Sequence, residues 1–251
     1  MTFRRQESRN PHPRSTTLPS PSTIHHPPSS TQHGSPAPEG KDRLLQIVNL
    51  GRRDYKEVWD FQKDLVTKRQ ARVIPDTLIL VEHDPVYTLG KNGDESHLLG
   101  SRRRDIPVYR VERGGDVTYH GPGQLVGYPI LDLHDHRLSI SWYMRSLEEV
   151  ILRALLRFDI RARRRPGLTG VWVENEKIAA LGVRLSRWVS MHGFALNVNT
   201  DLTPFAGIIP CGIGPGRDGV TSMEALLNEP QDLNRVANVV VEQFLDVFSF
   251  H

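Results

Sequence analysis

Arg113-Gly114-Gly115-Asp116-Val117-Thr118-Tyr119-His120-Gly121-Pro122-Gly123-Gln124 runs without a break into Leu125-Val126-Gly127-Tyr128-Pro129-Ile130-Leu131. The second run is short and apolar and reads as a buried strand. The first holds four glycines and one proline in twelve residues. Glycine lets the backbone approach a ligand closely and adopt positive φ. Arg113, Thr118, His120 and Gln124 supply hydrogen-bonding groups around that bare backbone. A tight turn between two strands explains a lone Gly-Gly or Gly-Pro-Gly. It does not explain so dense a mixture of Gly, Arg, His and Gln.

Working upstream, Val108 to Val111 leads into this stretch as a strand. Val86 to Leu89 and Thr77 to Val81 are two β-rich runs split by His83-Asp84-Pro85. Asp54 can cap a helix bearing Val58, Trp59, Gln62, Leu65 and Val66, and Leu44 to Leu50 looks like a first strand. Downstream, Ser139 or Ser141 caps a long helix with Met144, Leu147, Ile151, Leu155 and Phe158 on one face, most simply a core stripe. Val171-Trp172-Val173, a turn at Glu174-Asn175-Glu176, and Lys177 to Val183 form a hairpin. Met191 to Val198 is a further strand. A last helix, opened by Asp232 or Asn234, carries Val236, Val239, Val240, Phe244 and Val247. Strands with helices between them predict one α/β or α+β domain over residues 41–251, without internal repeats.

Residues 1–40 read as a disordered tail rich in Ser, Thr, Pro and His, with few apolar anchors. Their Arg and Ser content and scarcity of acids also fit a transit peptide; the prolines and the missing amphipathic face speak against it. No apolar run reaches the roughly 18 residues of a membrane span. The net charge of +3 permits an acidic partner without demanding nucleic acid. Arg102 to Arg104 and Arg161 to Arg165 are basic clusters that lack a nearby aromatic stacking platform, which weakens a nucleic-acid reading. Each is either a solvated face or a docking surface for an acidic protein.

The sole cysteine, Cys211, excludes an internal disulfide. A single cysteine is most simply a small buried hydrophobe. Its setting, Pro210-Cys211-Gly212, puts the thiol on a constrained loop, where a nearby cation could make it a thiolate. Lys177, His192 and His120 are the candidates. A lysine at a strand start is ordinarily solvated, and His192 is as readily a hydrogen-bonded structural residue as a catalyst. The scattered histidines and one cysteine form no structural zinc set, and no GxxxxGK[ST] phosphate loop is present.

Four ordered blocks carry a family resemblance: Arg113 to Gln124, Lys177-Ile178-Ala179-Ala180-Leu181-Gly182-Val183-Arg184, His192-Gly193-Phe194-Ala195-Leu196-Asn197, and Pro210-Cys211-Gly212-Ile213 with Gly219-Val220-Thr221-Ser222. On these the chain resembles the lipoyl(octanoyl) transferases of lipoate biosynthesis, over residues 44–248. The resemblance implies the catalytic domain shared by biotin and lipoate protein ligases, a mixed sheet flanked by helices. It implies transfer of an octanoyl group from octanoyl-acyl carrier protein to a lysine of lipoyl domains, in 2-oxoacid dehydrogenases and the glycine cleavage H protein. That is the first step of endogenous protein lipoylation. Cys211 matches the nucleophile that carries the acyl group as a thioester, and Lys177 the residue that lowers its pKa and moves protons. Arg113, Gly114, Gly115, Asp116, Val117, Thr118, Tyr119 and His120 match acyl-substrate contacts, as do Ala180, Leu181, Gly182, Gly193, Phe194 and Ala195. No cofactor, metal, nucleic acid or membrane is implied. The expected state is a cytoplasmic monomer, or a mitochondrial or plastid protein if the tail is a transit peptide.

Elementary chemistry agrees with this reading. Exchange between thioesters is nearly balanced and needs no ATP. A covalent intermediate lets two protein substrates use one site in turn. Small and apolar residues in alternation suit an alkyl slot, and backbone N–H groups near Gly212 could steady an oxyanion. An ATP-dependent ligase on the same fold would not need Cys211, and a non-catalytic carrier-binding module would form no adduct.

Overall fold

The computed structural model describes residues 43–210 and 219–250. β1 (Leu45–Arg53) is followed by α1 (Tyr55–Gln70) and β2 (Asp76–His83), which returns parallel to β1. The Asp54 carboxylate accepts the N–H groups of Lys56 and Glu57, so the expected cap starts α1. His83-Asp84-Pro85 then turns the chain off the sheet. β3 (Val86–Leu89) pairs with β4 (Val108–Arg110) in parallel and with β5 (Val117–His120) antiparallel, forming a separate three-stranded sheet. The glycine-rich stretch is therefore not only a loop. Its middle, Val117 to His120, is a strand whose partner lies thirty residues earlier in the chain, at Val86 to Leu89.

β6 (Gln124–Ile130), buried at every position, rejoins the main sheet against β2. α2 (Ile140–Leu156), capped by Ser139, leads to β7 (Arg163–Arg165), β8 (Leu168–Val173), β9 (Glu176–Ser186) and β10 (Val189–Asn197). β11 (Gly219–Val220), α3 (Met223–Leu227) and α4 (Leu233–Phe248) complete the described chain, with Asp232 capping α4. The main sheet has the order β1-β2-β6-β10-β9-β8-β7, with β11 beside β9. It is mixed: β1 with β2 and β11 with β9 are parallel, the other pairs antiparallel.

Strand alternation divides the core in two. Leu78 and Leu80 of β2, Leu125 of β6, and Phe194 and Leu196 of β10 face α2 and α4, where Leu147, Ile151, Val240 and Phe244 are fully buried. Ile79 and Val81, Val126 and Tyr128, and Met191 and Ala195 face the opposite way, towards Val58, Leu65 and Val66 of α1. Each large side chain so buried contributes roughly 1.5–3 kcal/mol. Two members of the expected α2 stripe depart from it. Phe158 is buried but lies beyond the end of the helix, and Met144 is only half-buried because it faces a cavity.

Candidate active site

A cavity of about 370 Å³ opens beside β9 and β10. It is roofed by residues of the glycine-rich stretch: Arg113 to Thr118, His120 and Gln124. Lys177, Ala180, Leu181, Gly182, Gly193, Phe194 and Ala195 also line it. Thus residues marked in three separate sequence blocks meet in one cavity. Tyr119 is placed elsewhere. Strand alternation in β5 turns its ring to Tyr87 and Phe205, at centroid distances of 5.6 and 5.5 Å, within a third apolar cluster. Pro210 and Val220 line the cavity on either side of residues 211–218, so Cys211 and Gly212 lie outside the described residues.

The floor and roof touch through backbone. A Cβ on Gly182 would lie 2.9 Å from the Gly114 carbonyl and 3.2 Å from Arg113 Cδ. The Gly114 N–H donates to the Val183 carbonyl at 2.9 Å, which pins the roof across β9. A Cβ on Gly193 would lie 2.2 Å from the Gly127 carbonyl of the neighbouring strand. Gly193 therefore lines the cavity while letting β6 and β10 sit close. Arg113 is buried. It donates to the Thr88 carbonyl and hydroxyl, both at 2.8 Å, and to the Gly114 carbonyl at 3.1 Å.

Lys177 does not behave as a solvated strand-opening lysine. It is 7 % exposed, and its Nζ lies 4.8 Å from the centre of the Trp172 ring, its cross-strand partner. A cation over an indole face is attracted by the ring quadrupole. Gly170 leaves room for the lysine stem: a Cβ there would lie 3.3 Å from Lys177 Cε. Ile209 N–H donates to the His97 carbonyl, and the His97 ring hydrogen-bonds Asp116 of the roof. The segment entering Pro210 is thereby tied to the glycine-rich stretch.

Three histidines sit in and beside the cavity, and all are held neutral. Burial pushes the pKa of His120 down to about 3, and nearby His83 adds to this. Burial lowers His83 to about 4. Burial, then the positive Arg113 and Arg184, lowers His192 to about 3. His83 Nε2 is 2.8 Å from the Tyr128 hydroxyl. His192 adopts φ +59, and its N–H donates to Gln62 Oε1 at 3.0 Å. Its Nε2 is buried and has no hydrogen-bond partner among the described residues. Thr88, Tyr128 and Asn197 are polar members of this region that sequence spacing does not flag.

Among the described residues, no group of three His, Cys, Asp or Glu is placed to hold a metal ion. No described helix is long and apolar enough to cross a membrane. The arrangement offers a narrow cavity, a buried ammonium at one side and uncharged hydrogen-bonding rings at the other. That suits binding an apolar chain with a reactive carbonyl beside Lys177.

The family described as the lipoyl protein ligase A/B catalytic domain matches residues 54–245. An octanoyltransferase of Gloeobacter violaceus is 52% identical over 168 residues, covering 66% of this chain and 75% of the relative. A chloroplastic octanoyltransferase of Arabidopsis thaliana is 45% identical over 200 residues, covering 77% and 70%. An octanoyltransferase of Alkaliphilus metalliredigens is 45% identical over 211 residues, covering 82% and 96%. Among solved structures, a putative lipoate protein ligase from T. acidophilum superposes with TM-score 0.63 at 15% identity, over 81% of this chain and 84% of that one. Lipoate-protein ligase A bound with ATP gives 0.60 at 15%, over 84% and 86%. At such identity these two show the fold alone.

Proposed function

The chain belongs to the lipoyl protein ligase A/B catalytic family and, within it, to the octanoyltransferases, and from that premise we propose how this acyltransferase works and on what. Its donor is octanoyl-acyl carrier protein. Its acceptors are lysines of lipoyl domains in 2-oxoacid dehydrogenases and of the glycine cleavage H protein. The observation that carries this reading is Lys177, buried in the wall of a cavity lined by Gly114, Ala180, Gly182 and Ala195, with Pro210 beside it.

The Cys211 thiolate attacks the donor thioester carbonyl. A carbon–sulfur bond forms to Cys211 and the one to the carrier breaks. The departing carrier thiolate takes a proton from the Lys177 ammonium. The acceptor lysine amine then attacks the Cys211 thioester. It gives its proton to the Lys177 amine, and the Cys211 thiolate leaves. Arg113 to Thr118 and His120, Ala180 to Gly182, and Gly193 to Ala195 hold the octanoyl chain. Tyr119 supports that wall from behind, through its contact with Phe205.

Incubation with octanoyl-acyl carrier protein should add one octanoyl mass that hydroxylamine removes, and Cys211→Ser should lose both the adduct and transfer. An adduct on another residue in Cys211→Ser would overturn the nucleophile. Turnover of free octanoate with ATP would instead point to ligase chemistry. Residues 1–40 form a tail outside the catalytic unit of residues 41–251, so their removal should leave transfer by the monomer intact. We place the protein in the cytoplasm. The chloroplastic Arabidopsis relative makes organelle import by the tail the competing outcome of a localisation experiment.

A further inference from the structure

A buried chain of hydrogen bonds crosses the site from its roof to the Lys177 strand. Thr221 follows β11, and its N–H donates to the Lys177 carbonyl at 3.1 Å. Its own carbonyl accepts from Asn197 Nδ2 at 2.9 Å. Asn197 Oδ1 accepts from Gln124 Nε2 at 2.9 Å. Gln124 Oε1 lies 2.8 Å from His120 Nδ1. His120 Nε2 lies 3.5 Å from Thr88 Oγ1, the longest of the links. Thr88 Oγ1 accepts from Arg113 Nη2 at 2.8 Å. Arg113, Thr88, His120, Gln124, Asn197 and Thr221 are all buried.

The direction of this chain follows from its last member. A backbone carbonyl only accepts, so Asn197 must turn its amide nitrogen to Thr221 and its oxygen to Gln124. Gln124 must then offer its nitrogen to Asn197 and its oxygen to His120. An amide oxygen also only accepts, so neutral His120 carries its proton on Nδ1. Its Nε2 lone pair is left for the Thr88 hydroxyl, which in turn accepts from Arg113. One carbonyl thus fixes two amide orientations and one imidazole tautomer. Every donor points the same way, an arrangement in which successive bonds polarise one another.

We propose that Asn197 is a positioning residue. It holds the Thr221 backbone, and through it the Lys177 strand, in a register set by the roof at Arg113. The acyl-binding wall and the lysine that moves protons are then tied near the Lys177 end of β9 by this chain, as they are near its other end by the Gly114 N–H to Val183 carbonyl bond. This rests on the role of Lys177 proposed above.

Two measurements test it. In the resting wild-type protein at pH 7, nitrogen-15 NMR should show His120 protonated on Nδ1 and bare on Nε2, its signals assigned by their loss in His120→Asn. Protonation on Nε2 would overturn the chain, and this result does not depend on any substrate. Asn197→Asp keeps the shape and still accepts from Gln124, but sets a carboxylate oxygen against the Thr221 carbonyl. It should lower kcat for octanoyl transfer by roughly tenfold or more and leave KM for the octanoyl donor nearly unchanged. An unchanged kcat in folded protein overturns the proposal. A rise in KM with kcat intact overturns it too, because that would place Asn197 on the donor rather than behind Lys177. If Asn197→Asp does not fold, comparing His120 variants decides. Asn in place of His120 keeps a donor at the Nδ1 position and should retain more activity than Gln, whose nitrogen falls at Nε2. The reverse order overturns the proposal. An Nδ1 proton together with no octanoyl adduct on Cys211 would leave the chain standing and sink the reaction instead.

Discussion

On the α2 and α4 side of the main sheet, Phe244 and Phe248 stack at 4.5 Å among Leu147, Ile151 and Val240. On the α1 side, the same strands present Tyr128 and Ala195, and around them lie His83, His120 and His192, each touching Tyr55, Gln62 or Tyr128. One face is held by apolar volume. The other combines small residues, close backbone contacts and buried polar groups. The difference teaches that stability and chemistry are divided between two faces of one sheet, so a substitution should disturb mainly one of them.

The largest expected effect is at Lys177. Lys177→Ala should reduce octanoyl transfer by roughly 10²–10⁴-fold, the range for a lost proton-transfer group. Lys177→Arg keeps charge but cannot readily give up a proton, so it should retain part of enzyme acylation and lose amide formation. Single-turnover assays of each half-reaction would show this. Wild-type transfer by Lys177→Ala would strip the polar face of its chemical role. Next comes the opposite face. Phe244→Ala should cost about 3–5 kcal/mol in urea unfolding while the folded fraction keeps its KM and kcat. A changed KM in that variant would break the division.

A third, smaller effect depends on pH. The folded-state pKa values of His83, His120 and His192 lie at about 4, 3 and 3, below the ordinary value of 6.5. Below pH 6.5 the unfolded chain takes up protons that the folded chain refuses, so stability is full above 6.5 and is lost as pH falls towards 4. Each histidine can contribute up to about 1.4 kcal/mol per pH unit in that window. Urea midpoints at pH 7.5 and 5 measure it. Phe244→Ala should lower the whole curve without changing its slope, and equal midpoints at both pH values would contradict the three lowered pKa values. The smallest effect is local. Gly182→Ala places a methyl against the Gly114 carbonyl, and should cost about 1–3 kcal/mol and raise KM for the octanoyl donor. Gly100→Ala, where a Cβ would meet nothing within 4 Å, is the control and should change neither.

What the sequence shows of this architecture is what local physics specifies. The caps at Asp54, Ser139 and Asp232, the apolar run of β6 and the β8–β9 hairpin are all legible because their signals lie within a few residues. β5 is not. Glycines flank it, and its partner strand β3 is brought alongside by tertiary structure. Lys177 reads as solvated because nothing nearby in sequence announces that β11 will return to pair with its strand. Asn197 and Thr88 are single polar residues with no spacing to betray them, whereas Gln62 shares the helical spacing of the buried α1 stripe. The arginine clusters also resolve only in three dimensions. Arg164 reaches both Glu148 and Glu149, Arg165 lies over the Trp172 ring, and Arg103 pairs with Asp105. Part of the charge that could steer an acidic partner is therefore engaged within the molecule.

Gly182 of β9 faces Gly193 of β10 in register, and each lies against backbone of the next layer, Gly182 against the Gly114 carbonyl of the roof and Gly193 against the Gly127 carbonyl of β6. There the bore of the cavity is set by distances between main chains, and main chains have no rotamers. A gauge made of side chains can be retuned by exchanging one of them. At Gly182 and Gly193 this one admits no added carbon without backbone moving. The cross-section offered to the acyl chain is thus written into the sheet itself, and a change in the thickness of chain accepted would call for a shift of whole strands rather than a point substitution.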